Sequence, residues 1–453
     1  MKNTDKLKEE CGVFGVSLNV NEAVGVVYNG LLSLQHRGQE GAGIATIADN
    51  NIRCHKELGL VTEIFSQKVP KLLKSSVAVG HVRYNTKGEC TKDDVGPFVR
   101  EYLTGRIVIS HNGNVTNTAQ IKDRLKQQGL YFKSTSDSEV IAALVAFEIQ
   151  ETKDLAKGVE KACGHLEGAF SLLVACGDGT IVAVRDPIGF RPLCIGSSNL
   201  GLAIASESAA LEAAGFDLQG DVKPGELIII KNAKIVERKI VLKPKSNQHG
   251  LCAFEFVYFA RPDSIIDGLG VYAARQQMGR ILAQEAPVDV DYIIGVPDSG
   301  LPAAHGYAEQ SGIPLTTGFV KNRYVGRSFI YPTQELRESI VRVKLNPLKS
   351  SIEGKRIVLV DDSIVRGTTI SRIVASLRKA GAKEVHVRVS SPPFMHSCIH
   401  GTRTDDDKDL IARRMKPEAM AKNIGADSVA FISLEGLLSA CGGCTSNLCT
   451  ACF

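Results

Sequence analysis

The sequence predicts two domains of different class: an α+β half of stacked antiparallel sheets with helices outside, then an α/β half built on a parallel sheet. Three observations carry this. A chain of 453 residues is longer than one ordinary core serves and suits two. In the first half short β-rich runs cluster around glycine turns, with helical pattern at 21–36, 117–129 and 137–150, so strands group together instead of alternating singly with helices. In the second half apolar strands alternate with amphipathic helices, the pattern of a parallel sheet.

In chain order, residues 1–10, "MKNTDKLKEE", lack the apolar region of a secretory signal, so a cytoplasmic location is expected. Strands are then expected at "CGVFGVSL", "AGIATI", "SSVAVGHVRY", "GRIVISHNGNV", "FSLLVACGDGTIVAVRD", "LAIASE" and "ELIIIKN". The polar, Pro- and Gly-bearing stretch "VLKPKSNQHG" places a boundary that leaves domains at 11–245 and 246–453. Beyond it, "VDYIIGVPDSG", "IPLTTGFV" and "RIVLVDDSIVRGTT" supply strands of the second half. In the last of these a continuous apolar run, Ile357 to Val360, reads as a buried strand with two acids at its C-terminal end, where parallel sheets bind ligands. The loop from Ser363 to Thr369 offers hydroxyls, a glycine and backbone N–H groups at a helix start, which suits a phosphate monoester. Carboxylates beside such a cradle suit ribose hydroxyls, so a sugar phosphate is expected.

Composition narrows the classes. Hydrophobic content of 44% with 23% charged residues fits a globular protein, and no apolar run approaches the length of a bilayer, so no membrane association is expected. A net charge of +5 with dispersed basic residues argues against nucleic acid and fits small anionic ligands. Twelve cysteines in a reducing compartment are not a disulfide framework. Cys163, Cys176 and Cys194 read as small core residues, and Cys54 and Cys90 carry no further signal.

Cys11, at the head of the first strand, reads by itself as a buried cysteine. Arg83 of "GHVRY", Asn112 beside Gly113 in "SHNGNV" and Asp137 of "STSDSEV" change that reading. Together they are the parts of an amide-cleaving site: a thiol, a guanidinium for a carboxylate, an Asn amide with a glycine N–H for an oxyanion, and an acid for an ammonium group. At the other end of the chain, two CxxC pairs, Cys441/Cys444 and Cys449/Cys452, have the spacing of a structural zinc site.

"CGVFG", "LQHRGQEGAGIAT", "GHVRYNT", "SHNGNV" and "TSDSEV", in this order, resemble the glutaminase domain of class II glutamine amidotransferases, the N-terminal-nucleophile kind. The resemblance implies that residues 1–10 are a propeptide whose removal frees the α-amine of Cys11. That amine serves as the base for its own thiol, leaving His81 and His111 structural. It further implies Cys11 as nucleophile, Asn112 and Gly113 at the oxyanion, and Arg83 and Asp137 on the α-carboxylate and α-ammonium of glutamine.

The stretch from Arg356 to Thr369 resembles the phosphoribosyl pyrophosphate signature of type I phosphoribosyltransferases. By that resemblance Asp361, Asp362, Ser363, Arg366, Gly367, Thr368 and Thr369 bind the substrate, and Ser299 of "GVPDSG" joins Asp361 and Asp362 in contacting magnesium. The basic run from Lys321 to Lys344 resembles the lid of that family, with Lys321, Arg323, Arg327 and Lys344 neutralising pyrophosphate.

The two halves together resemble the glutamine phosphoribosylpyrophosphate amidotransferases, and "GLCAFEFVYFARPDS" and "SSPPFMHSCIHG" resemble their iron-sulfur-containing branch. The resemblance implies a structural 4Fe-4S cluster on Cys252, Cys398, Cys449 and Cys452, against the all-tail zinc site that spacing alone allows. It also implies purine nucleotides as feedback inhibitors, a homotetramer, and the first committed step of purine biosynthesis, yielding 5-phosphoribosylamine. Members of that branch usually continue past the CxxCF, whereas this sequence stops at Phe453, which leaves a cluster there a shorter cover. Ammonia is expected to cross between the sites by an internal passage, with Tyr258 either lining it or packed in the core. Two other classes fit part of the pattern: a glutamine amidohydrolase whose second half only senses phosphoribosyl pyrophosphate, and a non-catalytic regulator. The intact Cys11, Asn112, Asp361 and Asp362 count against the latter.

Overall fold

A computed structural model describes residues 11–65, 74–84, 90–244, 250–322, 345–398, 400, 407–442 and 448–453. Residues 1–10, Arg323, Arg327, Lys344 and Cys444 lie outside these, as does the expected boundary at 245.

The first strand, Gly12–Leu18, sets the architecture of the first half. Its side chains alternate between faces: Phe14, Val16 and Leu18 pack under the helix Ala23–Ser33, and Val13 points to the opposite side. It lies in a seven-stranded antiparallel sheet ordered Asp217–Asp221, Cys194–Ser198, Gly201–Ala205, Gly12–Leu18, Val77–Arg83, Gly41–Ala48, Asn51–Leu58. A six-stranded antiparallel sheet stacks on it, ordered Lys234–Ile240, Glu226–Lys231, Ile181–Arg185, Gly168–Cys176, Gly105–Val115, Phe98–Tyr102. Val13, Ala45 and Val79 of one sheet meet Val108, Leu173 and Ile181 of the other in an inner core. The outer face of the second sheet is covered by Asp137–Thr152, whose Val140, Leu144 and Val145 join Ile107, Ile109 and Leu172. The result is helix, sheet, sheet, helix, the stacked arrangement expected.

In the second half four parallel strands run Tyr292–Gly295, Arg356–Asp361, Glu384–Val389, Ser428–Phe431. Both faces of the second of these are covered, which explains its unbroken apolar run. Val358 and Val360 pack with Val271 and Met278 on one side, while Ile357 and Leu359 pack with Ile370 and Val374 on the other.

Three local expectations change. "FSLLVACGDGTIVAVRD" is a hairpin of two strands with its turn at Gly177–Thr180, not one run. "IPLTTGFV" adds only a bridge from Leu315 to Ile293, and its Phe319–Lys321 end pairs with Leu345–Pro347 outside the parallel sheet. Cys176 is half-buried and donates to Asp178 Oδ1 at 2.8 Å, because its strand ends there; Cys163 and Cys194 are core residues as expected. Among the described residues no helix is long and apolar enough to cross a membrane.

Candidate active site

Two groups of side chains and one set of thiols hold the described residues singled out from the sequence. The first group lies where strands of both sheets end. Cys11 directly precedes the first strand and is buried; its Sγ lies 3.6 Å from Tyr84 O and 3.8 Å from Arg83 Nη1. Burial works against the Arg83 charge, yet Cys11 and Asp137 hold its pKa above the ordinary value. Asp137 opens the helix Asp137–Thr152, capped by Ser136, and its Oδ2 accepts from Val115 N at 3.1 Å.

Asn112, in the strand Gly105–Val115, is fully buried, with neither Oδ1 nor Nδ2 paired among the described residues. The neighbouring Gly113 has φ +147°, and a Cβ there would stand 2.2 Å from Ala169 O, so only glycine fits. His81 and His111 brace this strand: His81 Nε2 meets His111 O at 3.0 Å, and His111 Nδ1 meets Ser138 Oγ at 3.0 Å. Burial, and then Arg83, push His81 down to about 3, and burial lowers His111. Burial thus disfavours the charged form of both rings.

The second group is at the C-terminal end of Arg356–Asp361. Asp361 and Asp362 are buried there, and Asp362 N donates to Asp361 Oδ1 at 3.0 Å. Asp362 accepts from Ser363 Oγ at 2.7 Å and from Ser299 Oγ, and Lys321 pairs with Asp298 beside them. Gly367, at φ +89°, turns the chain into the helix Thr368–Lys379, whose first residues are Thr368 and Thr369; Arg366 reaches Asp409 at 3.8 Å. Ser299, Lys321, the two acids and the loop are thus brought together.

The thiols come from three segments. Leu251–Cys252 pairs in parallel with Leu448–Cys449, setting Cys252 beside Cys449. Met395 N and His396 N both donate to Cys452 O, which draws in the segment that carries Cys398. Burial raises the Cys252 and Cys452 thiols, and the charge of Cys398 raises both further. Four thiols are a soft donor set suited to iron or zinc. As they stand, no three His, Cys, Asp or Glu side chains among the described residues are grouped to share a metal ion. Cys441 is buried in the same core as Cys252 and Cys449, its thiol pushed up to about 12 by burial alone.

Sequence reasoning gave no role to a buried ionic network joining the halves. Arg37 Nη1 donates to Glu207 Oε1 at 2.6 Å, and its two terminal nitrogens grip Glu255 at 2.8 and 3.0 Å. Arg191 Nη1 reaches Glu255 Oε1 at 3.0 Å. All four side chains are essentially inaccessible. Charged residues are almost never fully buried unless paired, but a single sequence does not reveal which ones are buried.

A family model described as "Glutamine amidotransferase domain" matches residues 82–213, and one described as "Phosphoribosyl transferase domain" matches 271–409. The amidophosphoribosyltransferase of Synechocystis sp. is 44% identical, covering 100% of this chain and 91% of that protein. The amidophosphoribosyltransferase of Methanocaldococcus jannaschii is 45% identical, over 98% of this chain and 96% of that protein. Among solved structures, the glutamine phosphoribosylpyrophosphate amidotransferase of B. subtilis, complexed with ADP and GMP, superposes with a TM-score of 0.89. It is 42% identical and covers 98% of this chain and 96% of that one.

Proposed function

The chain belongs to the amidophosphoribosyltransferase family, enzymes of glutamine-dependent amidotransfer to phosphoribosyl pyrophosphate in purine biosynthesis, and we propose how its own residues divide that work. Residues 11–245 are the glutaminase and 246–453 the phosphoribosyltransferase, after loss of 1–10 as a propeptide. The observation that carries the reading is Asn112, a buried amide with neither polar atom paired among the described residues, in the strand Gly105–Val115, whose Val115 N–H binds Asp137 of the Cys11–Arg83–Asp137 group. An unsatisfied buried amide is costly unless a ligand completes it.

The Cys11 thiolate attacks the side-chain carbonyl of glutamine, with its own freed α-amine as base. Asn112 and the Gly113 N–H hold the oxyanion; the C–N bond breaks, and ammonia leaves a glutamyl thioester that water hydrolyses to glutamate. Arg83 and Asp137 hold the substrate's α-carboxylate and α-ammonium. Ammonia crosses an internal passage past Tyr258, which sits beside Phe254 and Phe259, and forms its bond to C1 of the phosphoribosyl group as pyrophosphate departs.

In that second site the loop from Ser363 to Thr369, with Arg366, Gly367 and Thr368, takes the 5′-phosphate, and Asp361 and Asp362 take ribose hydroxyls. Lys321, Arg323, Arg327 and Lys344 meet the leaving pyrophosphate. Ser299, Asp361 and Asp362 would hold magnesium, which supplies neutralisation of pyrophosphate charge. Cys252, Cys398, Cys449 and Cys452 would hold a structural 4Fe-4S cluster that ties the last strand to two distant segments, and the reaction needs no redox step. Purine nucleotides are the proposed inhibitors, in keeping with the ADP and GMP of the B. subtilis complex. A cytoplasmic homotetramer completes the reading.

The test is pyrophosphate release by anaerobically purified protein given magnesium and phosphoribosyl pyrophosphate, with glutamine, with ammonium, or with neither. Release with either nitrogen source is expected, and Cys11→Ala should lose the glutamine route alone. Glutamate formation without any pyrophosphate would instead indicate an amidohydrolase with a sensing domain.

A further inference from the structure

We propose that Glu255, a residue of the second half, positions the nucleophile of the first, acting through Arg37. The inference rests on the reading of Cys11 as nucleophile. Cys11 precedes the strand that begins at Gly12, so its backbone lies outside the regular sheet ladder. Its carbonyl oxygen accepts from Arg37 Nε at 3.3 Å. The same planar guanidinium has its other edge fixed: Glu255 takes both terminal nitrogens, and Glu207 takes Nη1. A bidentate grip fixes the orientation of an arginine as well as its position, so the direction from which Nε–H meets Cys11 is set by where Glu255 stands.

Glu255 is itself held. Arg191 bonds its Oε1, and it opens the helical turn Glu255–Phe259. Fully buried Arg275 clasps that turn, donating to Phe256 O and Ala260 O at 2.7 Å each. Glu207 is anchored from the same stretch, accepting from Arg261 N at 2.9 Å and Ser264 Oγ at 2.7 Å. Both carboxylates that orient Arg37 are therefore fixed by the segment that leads from Cys252 into the second half.

Two cations and two anions buried without solvent are a poor source of stability compared with apolar packing, and fixing position is the best-attested use of such groups. Here the position fixed is that of the Cys11 main chain, the atoms that carry both the thiol and the freed α-amine. Small misplacements of a reacting group cost large factors in rate.

The test separates nitrogen release from nitrogen use. Glu255→Asp keeps the charge balance and withdraws the carboxylate by one methylene. It should lower kcat for glutamine hydrolysis about tenfold or more, leave KM for glutamine within about twofold because Arg83 and Asp137 are untouched, and leave ammonium-dependent pyrophosphate release within about twofold. Arg37→Lys, which keeps the cation but lacks the fork, should give the same split. Equal loss of both routes in soluble variants would make the network merely structural, and an unchanged glutamine route in both would remove its role; either result overturns the inference. Failure of the functional reading shows itself separately, as a glutamine route that survives in Cys11→Ala.

Discussion

Burying an amide with no partner costs about 1–3 kcal/mol, and among the described residues Asn112 has none for either of its polar atoms. Such a cost suits a group whose partner arrives with the substrate. Asp221, half-buried, is a second polar group under stress, with a different consequence. Burial, and then the nearby Asp267 carboxylate, raise it to about 6, while Arg185 pulls the other way. The unfolded chain releases this proton near pH 4, whereas the folded chain keeps it to about pH 6. The folded state therefore binds the extra proton between those values, and stability falls as pH rises through the window. Asp221→Asn, neutral and of the same shape, should raise the thermal unfolding midpoint at pH 7, by the equivalent of about 1–3 kcal/mol. The gain should vanish near pH 4. A gain independent of pH, or none at pH 7, would refute this. The difference in legibility between the two residues is physical. Asn112 announces itself because the adjacent glycine and the short motif are local. Asp221 depends on a carboxylate supplied from the other half of the molecule, which no stretch around it encodes.

At the scale of elements, the closest packing is between the helices Val271–Glu285 and Leu301–Ser311, whose backbones touch through two glycines. A Cβ on Gly279 would lie 1.9 Å from Ala303 O, and one on Gly306 would lie 1.9 Å from Gln276 O. Alanine normally gains up to about 1 kcal/mol over glycine inside a helix. Here a backbone carbonyl, which cannot rotate away, stands in the added methyl group's place. Gly306→Ala should destabilise the protein by about 2 kcal/mol or more, whereas Gly25→Ala, with nothing within 4 Å, should be neutral or stabilising. Thermal unfolding of the two variants decides it, and equal effects would mean that the helices slide apart freely. Helix and strand legibility followed burial. The parallel strand Arg356–Asp361 was readable because both of its faces are covered and its apolar run is unbroken. Asn51–Leu58, "NIRCHKEL", and Lys234–Ile240, "KIVERKI", were not, because each lies at a sheet edge with charged side chains toward water. Their strand form comes from pairing with a neighbour, which a pattern within the segment does not encode.

At the scale of the whole molecule, the last strand returns to the start of the second half. Leu448–Cys449 adds only a two-residue parallel pairing to Leu251–Cys252, too little to hold a chain end by itself. Its neighbours supply part of the anchorage: Leu448 and Cys449 are buried in the core that contains Phe254, and the Phe453 ring lies 5.1 Å from that of Phe394. A cluster bridging Cys252, Cys398, Cys449 and Cys452 would convert this docking into a covalent cross-link of three segments. The competing assignment, four tail thiols around zinc, needs Cys441. That thiol sits in the core at the end of the helix Leu434–Ala440, raised by burial alone. Cys449 and Cys452, by contrast, both lie in the field of Cys398. The two assignments predict opposite variants. Cys398→Ser should lower the iron and acid-labile sulfide of anaerobically purified protein from about four per chain and reduce its thermal stability, whereas Cys441→Ser should leave iron unchanged. Zinc in place of iron, lost in Cys441→Ser and retained in Cys398→Ser, would assign the metal to the tail and leave Cys252 as an ordinary core residue.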